Sequence, residues 1–92
     1  MSKTERREIH YSGWVQGVGF RYTTQEIAQR FKVSGFVENL PDSRVQVVVE
    51  GEAGELDRFL AAVEQQLKRH IRNVDVKHRE ATGEFDRFVI RH

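Results

Sequence analysis

The order in which two hydrophobic periods follow each other along the chain limits the fold more than any other sequence feature. Apolar residues that alternate with polar ones predict strands, whereas apolar residues three and four positions apart predict helices. Thr23 to Glu26 has the spacing of a capping box, which predicts that the first helix starts there. The periods predict strands over residues 9–15, 35–40, 44–50, 74–79 and 88–90, and helices over residues 22–31 and 56–69.

Two helices with one apolar stripe each can bury both stripes by covering one face of a sheet, while the other face meets water. The order of elements is that of a split βαβ unit. The predicted fold class is therefore α+β: a ferredoxin-like βαββαβ sandwich with an antiparallel sheet, two helices on one face and a short extra C-terminal strand. Because 92 residues suit one domain, we expect a single domain over residues 1–92, with a flexible N-terminal tail over residues 1–6.

Charge and composition exclude several classes of function. The 15 basic and 14 acidic residues leave a formal charge of +1, which does not indicate nucleic-acid binding. The chain has no cysteine, which excludes a disulfide framework and a thiolate nucleophile. The histidines lack metal-ligand spacing, so we expect surface histidines, no metal and no cofactor. The charged N-terminal residues precede no long apolar run, so we expect a cytoplasmic protein without membrane contact. The histidines are His10, His70, His78 and His92.

A glycine-rich stretch separates the first predicted strand from the first predicted helix. Gly17 and Gly19 lie close together, and Arg21 follows. Glycines allow successive N–H groups to point at one spot, and the N-terminus of a helix attracts anions. Tyr22 stands where a dinucleotide-binding loop needs its third glycine, and no Gly-Lys-Ser/Thr follows to form a nucleotide P-loop. The pattern alone is compatible both with a phosphate or carboxylate cradle and with a plain tight turn.

Three ordered blocks of residues carry a more specific signal. They are Val-Gln-Gly-Val-Gly-Phe-Arg at residues 15–21, Gly-Phe-Val-Glu-Asn-Leu-Pro-Asp at residues 35–42 and Thr-Gly-Glu-Phe at residues 82–85. Together they resemble the acylphosphatase family, and the resemblance extends from Arg7 to Arg91. It implies a ferredoxin-like fold and an enzyme that hydrolyses small acyl phosphates to a carboxylate and inorganic phosphate.

The resemblance also implies roles for individual residues. Loop N–H groups and a guanidinium hold the phosphate, and Asn39 orients the attacking water. The implied phosphate-binding residues are Gln16, Gly17, Val18, Gly19, Phe20 and Arg21, and the implied catalytic residues are Arg21 and Asn39. Inorganic phosphate is expected as a product or an inhibitor, and neither nucleic acid nor membrane as a partner. We expect a monomer, because no apolar stripe should remain once both helices face the sheet.

Three residues depart from the usual family pattern. Trp14 replaces a polar or basic residue before the loop, and Arg87 replaces a small one near the C-terminus. Ser43 replaces a turn glycine, which costs about 1–2 kcal/mol if that position is left-handed. Trp14 and Phe36 are interpreted as core residues or as the rim of the site.

Other functions remain open on the sequence. Residues 32–37 superficially resemble an RNA-recognition strand, but further stacking aromatics do not follow. An anion-binding or interaction module without catalysis is a third possibility. Similar domains also occur in larger hydrogenase-maturation carbamoyl-transfer proteins, in which cysteine-rich zinc motifs follow. Because this chain ends at His92 without cysteine, we expect a free-standing hydrolase.

Overall fold

The computed structural model describes residues 3–92, which form five strands and two helices. In chain order they are β1 (Thr4–Gly13), α1 (Phe20–Ala28), β2 (Ser34–Asn39), β3 (Val45–Glu52), α2 (Ala53–Leu67), β4 (Ile71–Glu80) and β5 (Phe88–Arg91). The predicted ferredoxin-like α+β fold is confirmed, including the extra C-terminal strand.

The strands form a sheet in the order β4-β1-β3-β2-β5. β1 pairs antiparallel with β3 and β4, and β2 pairs antiparallel with β3. β5 pairs parallel with β2, so the predicted antiparallel sheet has one parallel pairing, which is made by the extra C-terminal strand. β5 starts at the end of the sheet where β4 finishes, and it therefore runs opposite to β4 and in the direction of β2.

The main core lies between the sheet and the two helices. Leu56, Phe59 and Val63 of α2 are fully buried in one cluster with Ile9 of β1 and Val47 of β3. Burying each of these side chains contributes about 1.5–3 kcal/mol. The apolar stripe predicted for the second helix is therefore the stripe that anchors it to the sheet.

The strand register brings two distant segments to one end of the sheet. Val45, at the start of β3, pairs with Tyr11 of β1 on one side and with Asn39 of β2 on the other. β1 and β2 run in the same direction because both are antiparallel to β3. The loop that follows β1 and the last residue of β2 consequently lie at the same end of the sheet, on either side of β3.

Some predicted boundaries are wrong. α1 begins at Phe20, with Gly19 as its N-cap, so Thr23 and Thr24 lie inside the helix and form no capping box. The left-handed glycine ends the loop and starts the helix earlier than the Thr-x-x-Glu spacing suggests. The expected tail over residues 1–6 is too long, because β1 starts at Thr4, while residues 1–2 lie outside the described part of the chain.

The face of the sheet opposite the helices is partly covered rather than fully solvated. Phe36 is buried there, with the Phe85 ring 5.9 Å away and the Arg91 guanidinium 3.7 Å from its centroid. Phe36 is therefore a packing residue and is not available to stack bases. The segment between β4 and β5 crosses this face and supplies Phe85.

Glu50 anchors that crossing segment. Its carboxylate is buried and accepts hydrogen bonds from the backbone N–H groups of Thr82 and Gly83, both at 2.9 Å. The Thr82 hydroxyl and the Arg6 guanidinium donate to the same carboxylate. The Thr-Gly-Glu-Phe block at residues 82–85 is therefore held against the sheet by hydrogen bonds to Glu50.

The edge strand β4 keeps some apolar surface exposed. α1 packs on β2 and β5, and α2 packs on β3 and β1, so β4 lies beyond the helical cover. Val74 and Val76 are consequently 37% and 40% exposed. The premise that no apolar stripe remains is wrong at this edge.

Candidate active site

The loop between β1 and α1 contains two left-handed glycines. Gly17 and Gly19 both have φ of 78°, a conformation that costs a residue with a side chain about 1–2 kcal/mol. Nothing lies within 4 Å of where a Cβ would stand at either position, so backbone conformation rather than crowding requires glycine here. This alternation of backbone conformations turns successive N–H groups towards one side.

The backbone donors of this region are left free by the protein fold. The first bond of α1 runs from Thr23 N–H to the Gly19 carbonyl at 3.0 Å. Within residues 3–92, the N–H groups of residues 17–22 have no backbone acceptor. Unpaired donors at the positive end of a helix form a ready site for an anion.

Arg21 and Asn39 border the same small cavity, of about 100 Å³, at the mouth of this loop. Arg21 lies in the first turn of α1 and Asn39 at the end of β2, so the register described above brings them together. No carboxylate lines the cavity. Its lining residues are Val15, Gly17, Gly19, Phe20, Arg21, Tyr22 and Asn39.

Two residues from the predicted phosphate-binding set have side chains engaged elsewhere. Val18 packs against the core. The Gln16 amide donates to the main-chain carbonyls of Leu40 and Arg44, at 2.8 and 2.9 Å. Only the backbone N–H of each remains for the predicted role, and the Gln16 side chain instead ties the loop to the turn between β2 and β3.

His92 is a neighbour of the site that the sequence did not reveal. Its ring nitrogen Nδ1 lies 3.4 Å from Nη1 of Arg21. Arginine can only donate, so the ring nitrogen accepts in this contact. No local pattern links residues 71 positions apart, and the sequence alone predicts only a surface histidine at position 92.

The turn after Asn39 is stabilised by its own hydrogen bonds. Ser43 has φ of 74°, so this position is left-handed, as the usual family glycine suggested. The backbone N–H of Arg44 lowers the pKa of the Asp42 carboxyl, and the Arg44 guanidinium, 2.8 Å away, lowers it further. The Asp42 charge is therefore paired within the turn.

Residues 3–92 contain neither a cluster of metal-ligating side chains nor a helix that could span a membrane. No group of three His, Asp or Glu side chains is placed to hold a metal ion. Neither α1 nor α2 combines the length and apolar character that a membrane-spanning helix requires.

The fold and the geometry together define a small α+β protein with a candidate anion site where its first helix begins. The acylphosphatase family model matches residues 7–90. The chain belongs to the acylphosphatase family, which confirms the resemblance carried by the three sequence blocks.

Individual relatives agree with this assignment. An acylphosphatase from Archaeoglobus fulgidus is 47% identical over 74 residues, which cover 79% of this chain and 83% of the relative. An acylphosphatase from Rubrobacter xylanophilus is 42% identical, with 97% of this chain and 82% of the relative covered. The crystal structure of acylphosphatase from Bacillus subtilis superposes with a TM-score of 0.85 at 31% identity, covering 96% of this chain and 99% of that one.

Proposed function

We propose that this chain is an acylphosphatase that hydrolyses the carboxyl-phosphate bond of small acyl phosphates. Family membership supports the activity. The observation that carries the site assignment is the shared cavity, which Arg21 and Asn39 line together with Gly17, Gly19 and Phe20, whose backbone N–H groups have no backbone acceptor among residues 3–92.

The phosphoryl group binds in the loop. Backbone N–H groups of residues 16–20 donate to its oxygens, and the planar guanidinium of Arg21 donates to two of them. These donors neutralise the charge on the transferring phosphoryl group, the main catalytic requirement in phosphoryl transfer. The proposed phosphate-binding residues are Gln16, Gly17, Val18, Gly19, Phe20 and Arg21.

Asn39 orients the attacking water by accepting its hydrogen bond. The water oxygen forms a bond to phosphorus while the bond from phosphorus to the acyl oxygen breaks, and the carboxylate leaves with the electron pair. A carboxylic acid has a pKa of about 4, so this leaving group needs no proton at neutral pH. The phosphate itself takes the proton from the water. The step therefore needs no general acid, cofactor or metal from the protein.

Hydrolysis of benzoyl phosphate by the wild type, Arg21→Ala and Asn39→Ala tests this proposal. Arg30→Ala and Asn73→Ala are matched controls, because both residues are exposed and lie outside the cavity. We expect rapid turnover by the wild type and the controls, and a loss of at least about a hundredfold in kcat/KM in each site variant. Circular dichroism checks that each variant is folded.

Turnover by folded Arg21→Ala or Asn39→Ala at the wild-type rate would reject the site assignment. A folded wild type without turnover would reject the enzyme, and phosphate titration would then test an anion-binding module. A pH–rate profile with an essential enzyme group near neutrality would reject proton transfer to the phosphate.

We also propose that the protein is a cytoplasmic monomer and that inorganic phosphate inhibits it competitively. The monomer is supported by three charged residues, Asp75, Lys77 and Arg79, which occupy every second position of the exposed edge strand β4. Charged side chains on an edge strand oppose its pairing with a second copy. Light scattering over a range of protein concentrations tests this state. A mass that rises to twice that of the chain would contradict it.

A further inference from the structure

Trp14 is the most exposed of the large apolar side chains among residues 3–92, at 78%. Its ring stacks on no other aromatic ring in this part of the chain, and no guanidinium lies over it. Trp14 is therefore not a core residue. It presents a large flat apolar surface that packing within the chain does not use.

The backbone on both sides of this ring is firmly held. The Trp14 N–H donates to the His70 carbonyl at 2.8 Å, and the pairing of β1 with β4 shifts register between Ser12 and Gly13. Gly13 has φ of 129°, and a Cβ there would lie 2.8 Å from the backbone nitrogen of Arg72. Irregular pairing of this kind changes the direction of the side chains that follow. The Trp14 backbone is thus fixed beside the start of β4 before any ligand binds.

The exposed ring borders a depression of about 450 Å³, a volume typical of small-molecule sites. This depression shares only Val15 with the cavity of the candidate active site. Arg72 is the one charged residue of its lining. Among residues 3–92, no carboxylate pairs with this guanidinium. The depression therefore combines an unstacked ring with an unpaired positive charge.

The chemistry of the lining selects a flat anion. The face of Trp14 favours another flat ring, as aromatic side chains do when they stack on nucleic-acid bases. The planar guanidinium of Arg72 favours a phosphate or a carboxylate. Gln16 and Ser43 also line the depression and add neutral groups that can hydrogen-bond to the edge of a ring. A nucleoside monophosphate carries both a flat base and a phosphate on one small molecule.

We propose that the depression between Trp14 and Arg72 is a second binding site for a small anion with a flat ring, of the nucleoside monophosphate class. The ring stacks on Trp14, and the anionic group accepts hydrogen bonds from Arg72. The site is separate from the candidate active site, because it uses neither Arg21 nor Asn39. Binding here does not depend on the proposed hydrolytic activity.

Titration of the full chain with AMP tests this site. Trp14 is the only tryptophan of the chain, so its fluorescence reports directly on the depression. We expect saturable quenching with half-saturation at about 0.1–1 mM. Adenosine lacks the phosphate, and ribose 5-phosphate lacks the base. Each should bind at least about tenfold more weakly than AMP, with ribose 5-phosphate measured by its competition with AMP.

Variants distinguish this depression from the glycine loop. Arg72→Ala should weaken AMP binding about tenfold and leave the weak binding of adenosine within about twofold. Arg69→Ala removes the same charge from an exposed position outside the depression and is the matched control. It should bind AMP within about twofold of the wild type, and so should Arg21→Ala. Circular dichroism checks that each variant is folded.

Three results would overturn the second site. AMP binding that is lost in Arg21→Ala and persists in folded Arg72→Ala would assign the nucleotide to the loop. Equal affinities of the wild type for AMP and adenosine would exclude a role for the positive charge. Fluorescence that shows no saturable change up to about 10 mM AMP would exclude stacking on Trp14.

Discussion

The side-chain amide of Gln16 donates a hydrogen bond to the main-chain carbonyl of Leu40 at 2.8 Å. Leu40 directly follows Asn39, and Gln16 belongs to the glycine loop, so this bond joins the two halves of the candidate active site. A second bond, to the Arg44 carbonyl at 2.9 Å, fixes the same amide to the other side of the turn. Gln16 is therefore a positioning residue in addition to its proposed backbone role.

Gln16→Ala tests this positioning. We expect kcat for benzoyl phosphate to fall about tenfold to a hundredfold with a smaller change in KM, because a displacement of about 1 Å between reacting groups has an effect of this size. The free energy of unfolding should fall by about 1–3 kcal/mol, because two hydrogen bonds are lost. The Leu40 and Arg44 carbonyls each keep a backbone donor, from Ser43 and Leu40 respectively. Gln65→Ala, at an exposed position of α2, is the control. Unchanged kcat in folded Gln16→Ala would exclude the positioning role.

Ser43→Gly should stabilise the protein. Ser43 has φ of 74°, which costs a residue with a Cβ about 1–2 kcal/mol. Part of the gain is offset by the greater freedom of glycine in the unfolded chain, so we expect about 0.5–1 kcal/mol and a rise in Tm of a few degrees. Thermal unfolding measures it. Ser12→Gly, near the end of β1 where Ser12 pairs with Asn73 of β4, should instead lower Tm, and a lower Tm for Ser43→Gly would contradict the prediction.

Replacement of glycine by alanine should have opposite effects on stability at Gly19 and at Gly54. Gly19→Ala places a Cβ at φ of 78° and should lower the free energy of unfolding by about 1–2 kcal/mol. Gly54→Ala lies inside α2, where the new Cβ would be 3.4 Å from the flexible end of Arg58. It should raise stability by up to about 1 kcal/mol, because alanine favours the helix. Denaturant unfolding measures the change in the free energy of unfolding for both variants, and a change of the same sign in both would contradict the prediction.

Glu50 should make stability depend on pH in the acid range. Burial alone raises the pKa of its carboxyl, but hydrogen bonds from Thr82, Gly83 and Arg6 outweigh burial and leave the pKa below the ordinary value. The folded state therefore binds this proton less readily than the unfolded state. The stabilisation is fully present above the unfolded pKa of about 4.3 and is lost as the pH falls through the lower folded value.

Unfolding of the wild type and Glu50→Gln at a series of pH values tests this dependence. At neutral pH the variant should be less stable by about 1–3 kcal/mol, because its amide group meets backbone donors that need an acceptor. The difference should shrink below about pH 4.3. Glu26→Gln, at an exposed position, should have the same free energy of unfolding as the wild type at each pH. A stability difference between Glu50→Gln and the wild type that does not change with pH would contradict the role assigned to Glu50.

Several features of the fold could be predicted because they depend on neighbouring residues. The stripe of Leu56, Phe59 and Val63 predicted α2 and its buried face, and that face is fully buried. The glycines at positions 17 and 19 predicted a loop with unusual backbone angles, and both are left-handed. The helix start at Phe20 was missed, because the capping-box pattern at Thr23 competes with a glycine N-cap that only the folded loop reveals.

The sequence by itself determined the order of the elements, the left-handed loop and the family, because hydrophobic period, glycine conformation and ordered motifs are properties of short stretches. Only the tertiary structure decided that β5 pairs parallel with β2, that Gln16 binds the turn after Asn39, and that Tyr22 rather than Trp14 borders the cavity. These relationships join residues far apart in the chain. Strand order and register bring them together, and no local pattern encodes which distant groups will meet.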